Sequence, residues 1–178
     1  MEKNLISQLP AGNNPPFEIN CVVEVPKGGT NKYEYDAKAD IFKLYRALYE
    51  AVFFPAEYGF IPQTLNEKDG DPLDIMVLST FPTFSGCLVP CRPIGILHLV
   101  DSGEVDDKII AVSANDPRFE EIRELDDLSV HTKKEIKNFI ENYAELQPHK
   151  KIKIEGWSGK DKAHELIKKA IEDFKKQK

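Results

Sequence analysis

Residues 69–79 read Asp-Gly-Asp-Pro-Leu-Asp-Ile-Met-Val-Leu-Ser, an acidic turn that passes without a spacer into a run of branched apolar side chains. Asp-Gly and Asp-Pro are turn chemistry, and the apolar run that follows is short enough for a buried strand. Working outward, the same unit recurs from Phe17 to Ser113. The runs FEINCVVEV, NKYEYD, DIFKLYRAL, RPIGILHLV and DKIIAVS are separated by the turn formers PKGGT, EKDGDP, TFSG and DSGE. Many short strands at this spacing predict a small barrel or sandwich. The period then changes. Ile136, Phe139, Ile140 and Tyr143 fall on one helical stripe over Thr132 to Leu146, with Thr132 and Glu135 as a capping box. A short strand, KIKIEGW, follows, and a last helix carries Ala163, Leu166, Ile167, Ala170, Ile171 and Phe174 on one face. The fold class is α+β, a β-barrel with helices packed outside.

The chain has 178 residues, which predicts one domain over 1–178 with residues 1–16 as a flexible lead-in. A domain of this size buries roughly 70% of its unfolded surface and needs no staple. Thirty Asp and Glu against 24 Lys and Arg give a net charge of −6, which argues against general nucleic-acid binding. No apolar run reaches membrane-spanning length, and the start lacks a signal-peptide core, so a cytoplasmic protein without membrane association is expected. Cys21, Cys87 and Cys91 are odd in number and read as reduced thiols. His98, His131, His149 and His164 lie in no metal-ligand spacing and read as surface or incidental residues.

The chemistry concentrates in the acids. Asp69, Asp71 and Asp74 repel one another unless a cation joins them, and hard oxygen donors suit Mg²⁺ or Mn²⁺. In an extended segment Asp69 and Asp71 share a face, and Pro72 supplies a bend that brings Asp74 round. A solvated turn is the bland alternative. An EF-hand is excluded, because Asp74 stands where its loop needs glycine. The stretch LHLVDSGEVDDKIIAV predicts a hairpin with a four-residue loop, setting Asp101 opposite Asp106 with Lys108 on the same face. Lys32 and Glu34 share a strand face. Arg46, among Leu44, Tyr45, Leu48 and Tyr49, requires a partner, either a structural carboxylate or a phosphate. Tyr58 alone reads as a core aromatic. Clustered carboxylates beside fixed cations suit a metal complex of a polyanion, as phosphoryl transfer requires. The sequence has no Walker A loop and no G-x-S-x-G elbow.

With these residues in view, the sequence resembles the soluble family I inorganic pyrophosphatases of bacterial type from about Phe17 to Trp157. The resemblance rests on the D-G-D-P-L-D block, Glu24 ahead of Lys32-Tyr33-Glu34, Arg46 before Tyr58-Gly59, the Asp101/Asp106/Lys108 hairpin, Tyr143, and Glu155-Gly156-Trp157. It implies an OB-like five-stranded β-barrel that binds several Mg²⁺ ions, with Mn²⁺ or Zn²⁺ as substitutes, and hydrolyses pyrophosphate to two phosphates. By matching position, Asp69, Asp74 and Asp106 would hold the tightest metal, with Asp74 also bridging a second. Asp101 and Asp106 would hold one that arrives with substrate, and Asp71 would be the base. Lys32, Arg46, Lys108 and Tyr143 would contact phosphate oxygens, with Glu24, Glu34 and Tyr58 in support. It further implies a homohexamer. One departure stands out: Ala144 follows Tyr143 where the family usually has Lys, and Lys150 or Lys151 are the nearby cations. The competing functions are a Mg²⁺-dependent hydrolase of nucleotide or organic diphosphates and an OB-type nucleic-acid module stacking bases on Tyr33, Tyr35 and Phe42. A third is a non-catalytic cation-binding protein.

Overall fold

The computed structural model describes residues 4–66, 68 and 70–177. Its strands are β1 (Ile19–Val25), β2 (Asn31–Asp36), β3 (Ile41–Ala47), β4 (Glu57–Phe60), β5 (Asp74–Leu78), β6 (Leu88–Asp101), β7 (Glu104–Val105), β8 (Lys108–Ser113) and β9 (Ile152–Gly159). The helices are α1 (Leu5–Gln8), α2 (Val130–Asn142) and α3 (Lys160–Lys176). Strand β1 pairs with β4, β4 with β5, β5 with β8, β8 with β6, and β6 returns to β1. Five strands thus close a ring, and the far end of β6 extends beyond it to pair with β7 and β9. Every pairing in the ring is antiparallel except β5–β8. Strand β9 adds to β6 outside the ring, and β2–β3 form a separate two-stranded sheet.

Period-two alternation sorts the ring residues into two apolar clusters. Met76, Leu78, Ile110 and Val112 belong to one, which α2 completes with Ile136, Phe139 and Ile140. Ile75, Val77, Ile109 and Ala111 belong to the other, which α3 completes with Ala163, Ile167 and Ala170. Phe54 ties α2 to the barrel, its ring centroid 4.6 Å from that of Phe139. Each fully buried Ile or Phe here contributes roughly 1.5–3 kcal/mol relative to exposure. At Gly59 the β1 and β4 backbones approach so closely that a Cβ would lie 1.9 Å from the Val22 carbonyl oxygen.

Several boundaries differ from expectation. Strand β4 was not among the strands read from sequence. Helix α2 starts at Val130 and is capped by Ser129, whose Oγ accepts from the Thr132 N–H at 3.0 Å, so Thr132 is not the cap. The hairpin turn is two residues, Ser102 and Gly103, both at positive φ, and Asp101 pairs with Glu104, not with Asp106. This corrects the four-residue loop: type I′ geometry matches strand twist, and it shifts the register by two. Because the shift is even, Asp101 and Asp106 stay on one face as diagonal neighbours. Residues 4–16, read as a lead-in, contain α1 and bind the rest of the chain. The Leu5 N–H donates to the Tyr35 hydroxyl at 2.8 Å, and the Gln63 N–H to the Ile6 carbonyl at 2.9 Å. None of the described helices is long and apolar enough to cross a membrane.

Candidate active site

The parallel pairing of β5 with β8 decides the chemistry. Met76 lies beside Ile110, so the first residues of the two strands, Asp74 and Lys108, lie side by side at the same end. Lys108 is 3% exposed, and its ammonium contacts the Asp74 carboxylate and lies 2.6 Å from Asp106 Oδ1. The Tyr58 hydroxyl, from β4, donates to the same Asp74 oxygen at 2.9 Å. Burial works against the Lys108 charge, but the two carboxylates outweigh it and hold its pKa above the ordinary lysine value. Burial raises the Asp106 pKa, reinforced by the Asp74 and Asp101 charges and opposed by Lys108. Glu24, 9% exposed at the end of β1, accepts from the Tyr35 N–H at 2.8 Å. Its burial pushes its pKa up to about 8.

Glu24, Tyr58, Asp74 and Asp106 face a cavity of about 560 Å³, whose wall also includes Lys32, Glu34 and Asp71. Ile6 of α1 closes one side. The basic wall comes from the β2–β3 hairpin, whose register sets Lys32 directly opposite Arg46. Like charges facing across a ladder destabilise it unless an anion joins them. Lys32 Nζ lies 2.7 Å from Glu34 Oε1, and this bond keeps its pKa raised against the effect of burial. The sequence left Arg46 needing a partner. Its guanidinium donates to the Tyr143 carbonyl oxygen at 2.9 Å and lies over the Tyr49 and Tyr143 rings at 5.3 and 5.8 Å.

The structure therefore gathers Glu24, Lys32, Glu34, Tyr58, Asp71, Asp74 and Asp106 around one space, with Lys108 buried against Asp74 and Asp106 and Arg46 joined to Tyr143. Asp69 lies outside the described residues. Asp101 is turned to Lys150: burial works against its charge, but contacts from Lys150 and from Ser102 (2.8 Å) hold its pKa low. Ala144 is 3% exposed, packed into the core. Among the described residues, no group of three Asp, Glu, His or Cys side chains stands in cation-holding geometry. The donor set nevertheless fits a hard divalent ion, since Asp74 and Asp106 already converge on one positive charge, the Lys108 ammonium.

Sequence reasoning missed Ile6, His98, Asp107 and Ser158. Ile6 carried a signal in the apolar Leu5, Ile6 and Leu9. His98, read as incidental, is bound to Asp107 and Ser158. Neither of those partners had a local signal. Tyr35 is unsuited to stacking a base, because its ring packs between Phe42 and Phe60 at 5.2 and 5.5 Å.

Comparison with known proteins agrees with this geometry. The family model described as inorganic pyrophosphatase matches residues 21–175. The inorganic pyrophosphatase of Picrophilus torridus is 47% identical over 178 residues, covering 99% of each chain. That of Geobacillus stearothermophilus is 48% identical over 160 residues, covering 90% of this chain and 96% of its own. The crystal structure of inorganic pyrophosphatase from Thermus thermophilus superposes with a TM-score of 0.93 at 42% identity, covering 97% of this chain and 99% of that one. The five-strand ring is thus the OB-like barrel of these relatives. Family model, near-full-length relatives and fold converge, and the chain belongs to the inorganic pyrophosphatase family.

Proposed function

We propose that this chain hydrolyses inorganic pyrophosphate to two phosphates with the aid of divalent metal ions, Mg²⁺ in the cell. The observation that carries the reading is one cavity with carboxylates on one wall and the facing pair Lys32 and Arg46 on the β2–β3 hairpin beside it. Carboxylates alone would repel a phosphate, and cations alone would not hold a metal. The family is metal-dependent. Divalent ions, when bound, neutralise the polyanion and lower the pKa of coordinated water toward neutrality.

In this proposal Asp69, Asp74 and Asp106 would hold the tightest ion, Asp74 would also serve a second, and Asp101 with Asp106 would take one that arrives with substrate. Asp71 accepts the proton of the attacking water. Lys32, Arg46, Lys108 and Tyr143 bind and orient phosphate oxygens, while Glu24, Glu34 and Tyr58 fix the surrounding acids. The bond from Tyr58 to Asp74 and the bond from Lys32 to Glu34 support these supporting roles. Lys108 is held by Asp74 and Asp106, the acids that would hold the metal, so it stands where it would meet the oxygens of a bound phosphate. Lys150, next to Asp101, is the candidate for the charge that Ala144 lacks. By family resemblance the proposal extends to one catalytic domain over 1–178, a homohexamer and a cytoplasmic setting.

The test is phosphate release from pyrophosphate with Mg²⁺ and with EDTA, run beside nucleoside diphosphates. Rapid Mg²⁺-dependent release from pyrophosphate alone is expected. Faster release from nucleoside diphosphates would favour the organic diphosphate reading and refute this one.

A further inference from the structure

The segment that carries Asp106 lies in the gap between two strands. Strand β7 is two residues long, β8 begins at Lys108, and Asp106 and Asp107 belong to neither. Their register with β6 nevertheless continues that of β8. Ile96 pairs with Ile109 and Leu97 with Lys108, and one step further the Asp106 N–H donates to the Leu99 carbonyl oxygen at 2.9 Å. This order sets Asp107 across from His98. His98 Nδ1 lies 3.0 Å from Asp107 Oδ2, and its Nε2 lies 2.7 Å from Ser158 Oγ on β9. A carboxylate only accepts, so Nδ1–H donates to Asp107 and Nε2 accepts the Ser158 hydroxyl. Asp107 Oδ1 is buried with no hydrogen-bond partner among the described residues. His98 is therefore the side chain that orients this carboxylate.

Alternation makes the contact consequential. Asp106 and Lys108 share one face, where both meet Asp74 through the Lys108 ammonium, while Asp107 leaves on the other to hold His98 and also borders the cavity. The β6–β9 ladder is irregular between His98 and Leu99, so the Ser158–His98 bond links these strands where their own pairing breaks. We propose that Ser158, His98 and Asp107 form a hydrogen-bonded pin across β9, β6 and the start of β8 that steadies the segment presenting Asp106 and Lys108 to Asp74. His98 and Asp107 are then positioning residues, and the inference rests on the pyrophosphatase reading above.

The experiment exploits the two ring nitrogens. His98→Asn keeps an amide donor where Nδ1–H stood, and His98→Gln places its amide nearer the Nε2 position and loses the Asp107 bond. Mn²⁺ affinity is measured by calorimetry on the full chain, beside melting temperature and the KM and kcat for pyrophosphate. His98→Gln is expected to weaken Mn²⁺ binding about tenfold and lower kcat at nearly unchanged KM, as loss of a group supporting metal ligands does. His98→Asn should stay within about threefold of wild type. Asp107→Ala, which removes the bond from the other side, should match His98→Gln and add nothing to it. A merely structural contact would lower the melting temperature without moving Mn²⁺ affinity. Wild-type Mn²⁺ binding in both His98→Gln and Asp107→Ala, or an equal loss in His98→Asn and His98→Gln, overturns the pin. If the wild-type chain neither binds Mn²⁺ nor hydrolyses pyrophosphate, the pyrophosphatase reading falls and the pin with it. If it does both while all variants match it, only the pin falls.

Discussion

Replacing Glu24 with Gln should remove a loss of stability that the wild-type chain suffers as pH rises in EDTA. Burial raises this carboxyl from its ordinary 4.5 to about 8, so the folded state keeps a proton that the unfolded state has already lost. Between those values the native chain binds more protons than the unfolded one, and stability falls as pH rises, by up to ~1.4 kcal/mol per pH unit. The whole interval corresponds to about 5 kcal/mol, present below pH 4.5 and lost once pH passes about 8. Glu24→Gln retains the acceptor for the Tyr35 N–H, a 2.8 Å bond, but has no proton to lose. The assay is urea unfolding of both proteins in EDTA. Wild type should lose about 2 kcal/mol relative to Glu24→Gln between pH 6 and pH 8. A stability difference that stays flat across that range would refute the buried, proton-retaining Glu24.

Other perturbations have equally direct outcomes. Asp71→Asn should keep the fold and most metal binding yet lose most of kcat, and turnover like that of wild type would remove Asp71 from the role of base. Lys108→Ala leaves the Asp74 and Asp106 carboxylates without their shared ammonium, so thermal or urea unfolding in EDTA should show a loss of ~3–5 kcal/mol. Mg²⁺ should then raise its melting temperature more than it raises that of wild type, and an equal rise in both would count against a shared cation position. Gly59→Ala drives a methyl to 1.9 Å from the Val22 carbonyl oxygen, and unfolding curves should show a loss of about 3 kcal/mol or more as β1 and β4 part.

The barrel strands and both long helices were legible because burial imposes period two on β5 and β8 and a 3.6-residue stripe on α2 and α3. Strand β4 escaped because it is four residues long, lies between Pro55 and Pro62, and carries Glu57 and Gly59 where alternation would be read. The hairpin register was missed by two because Gly103 signals a turn but Ser102, also at positive φ, does not. The acids of 69–74 and Asp106 announced themselves by mutual repulsion, a property of local sequence. Contacts such as Lys32 facing Arg46, or Ser158 reaching His98 from 60 residues away, exist only through strand pairing and leave no local trace.

The parallel neighbours β5 and β8 are separated in the chain by all of β6 and β7. Asp74 and Lys108 therefore meet only after the longest strand has been laid between them, and contacts at such sequence separation are slow to form. A chain emerging from synthesis thus cannot bring Asp74 to Lys108 and Asp106 until β8 has paired with β5. In refolding, the capacity to capture a cation should arrive with the slowest phase, making metal uptake a chemical signal that the molecule is complete.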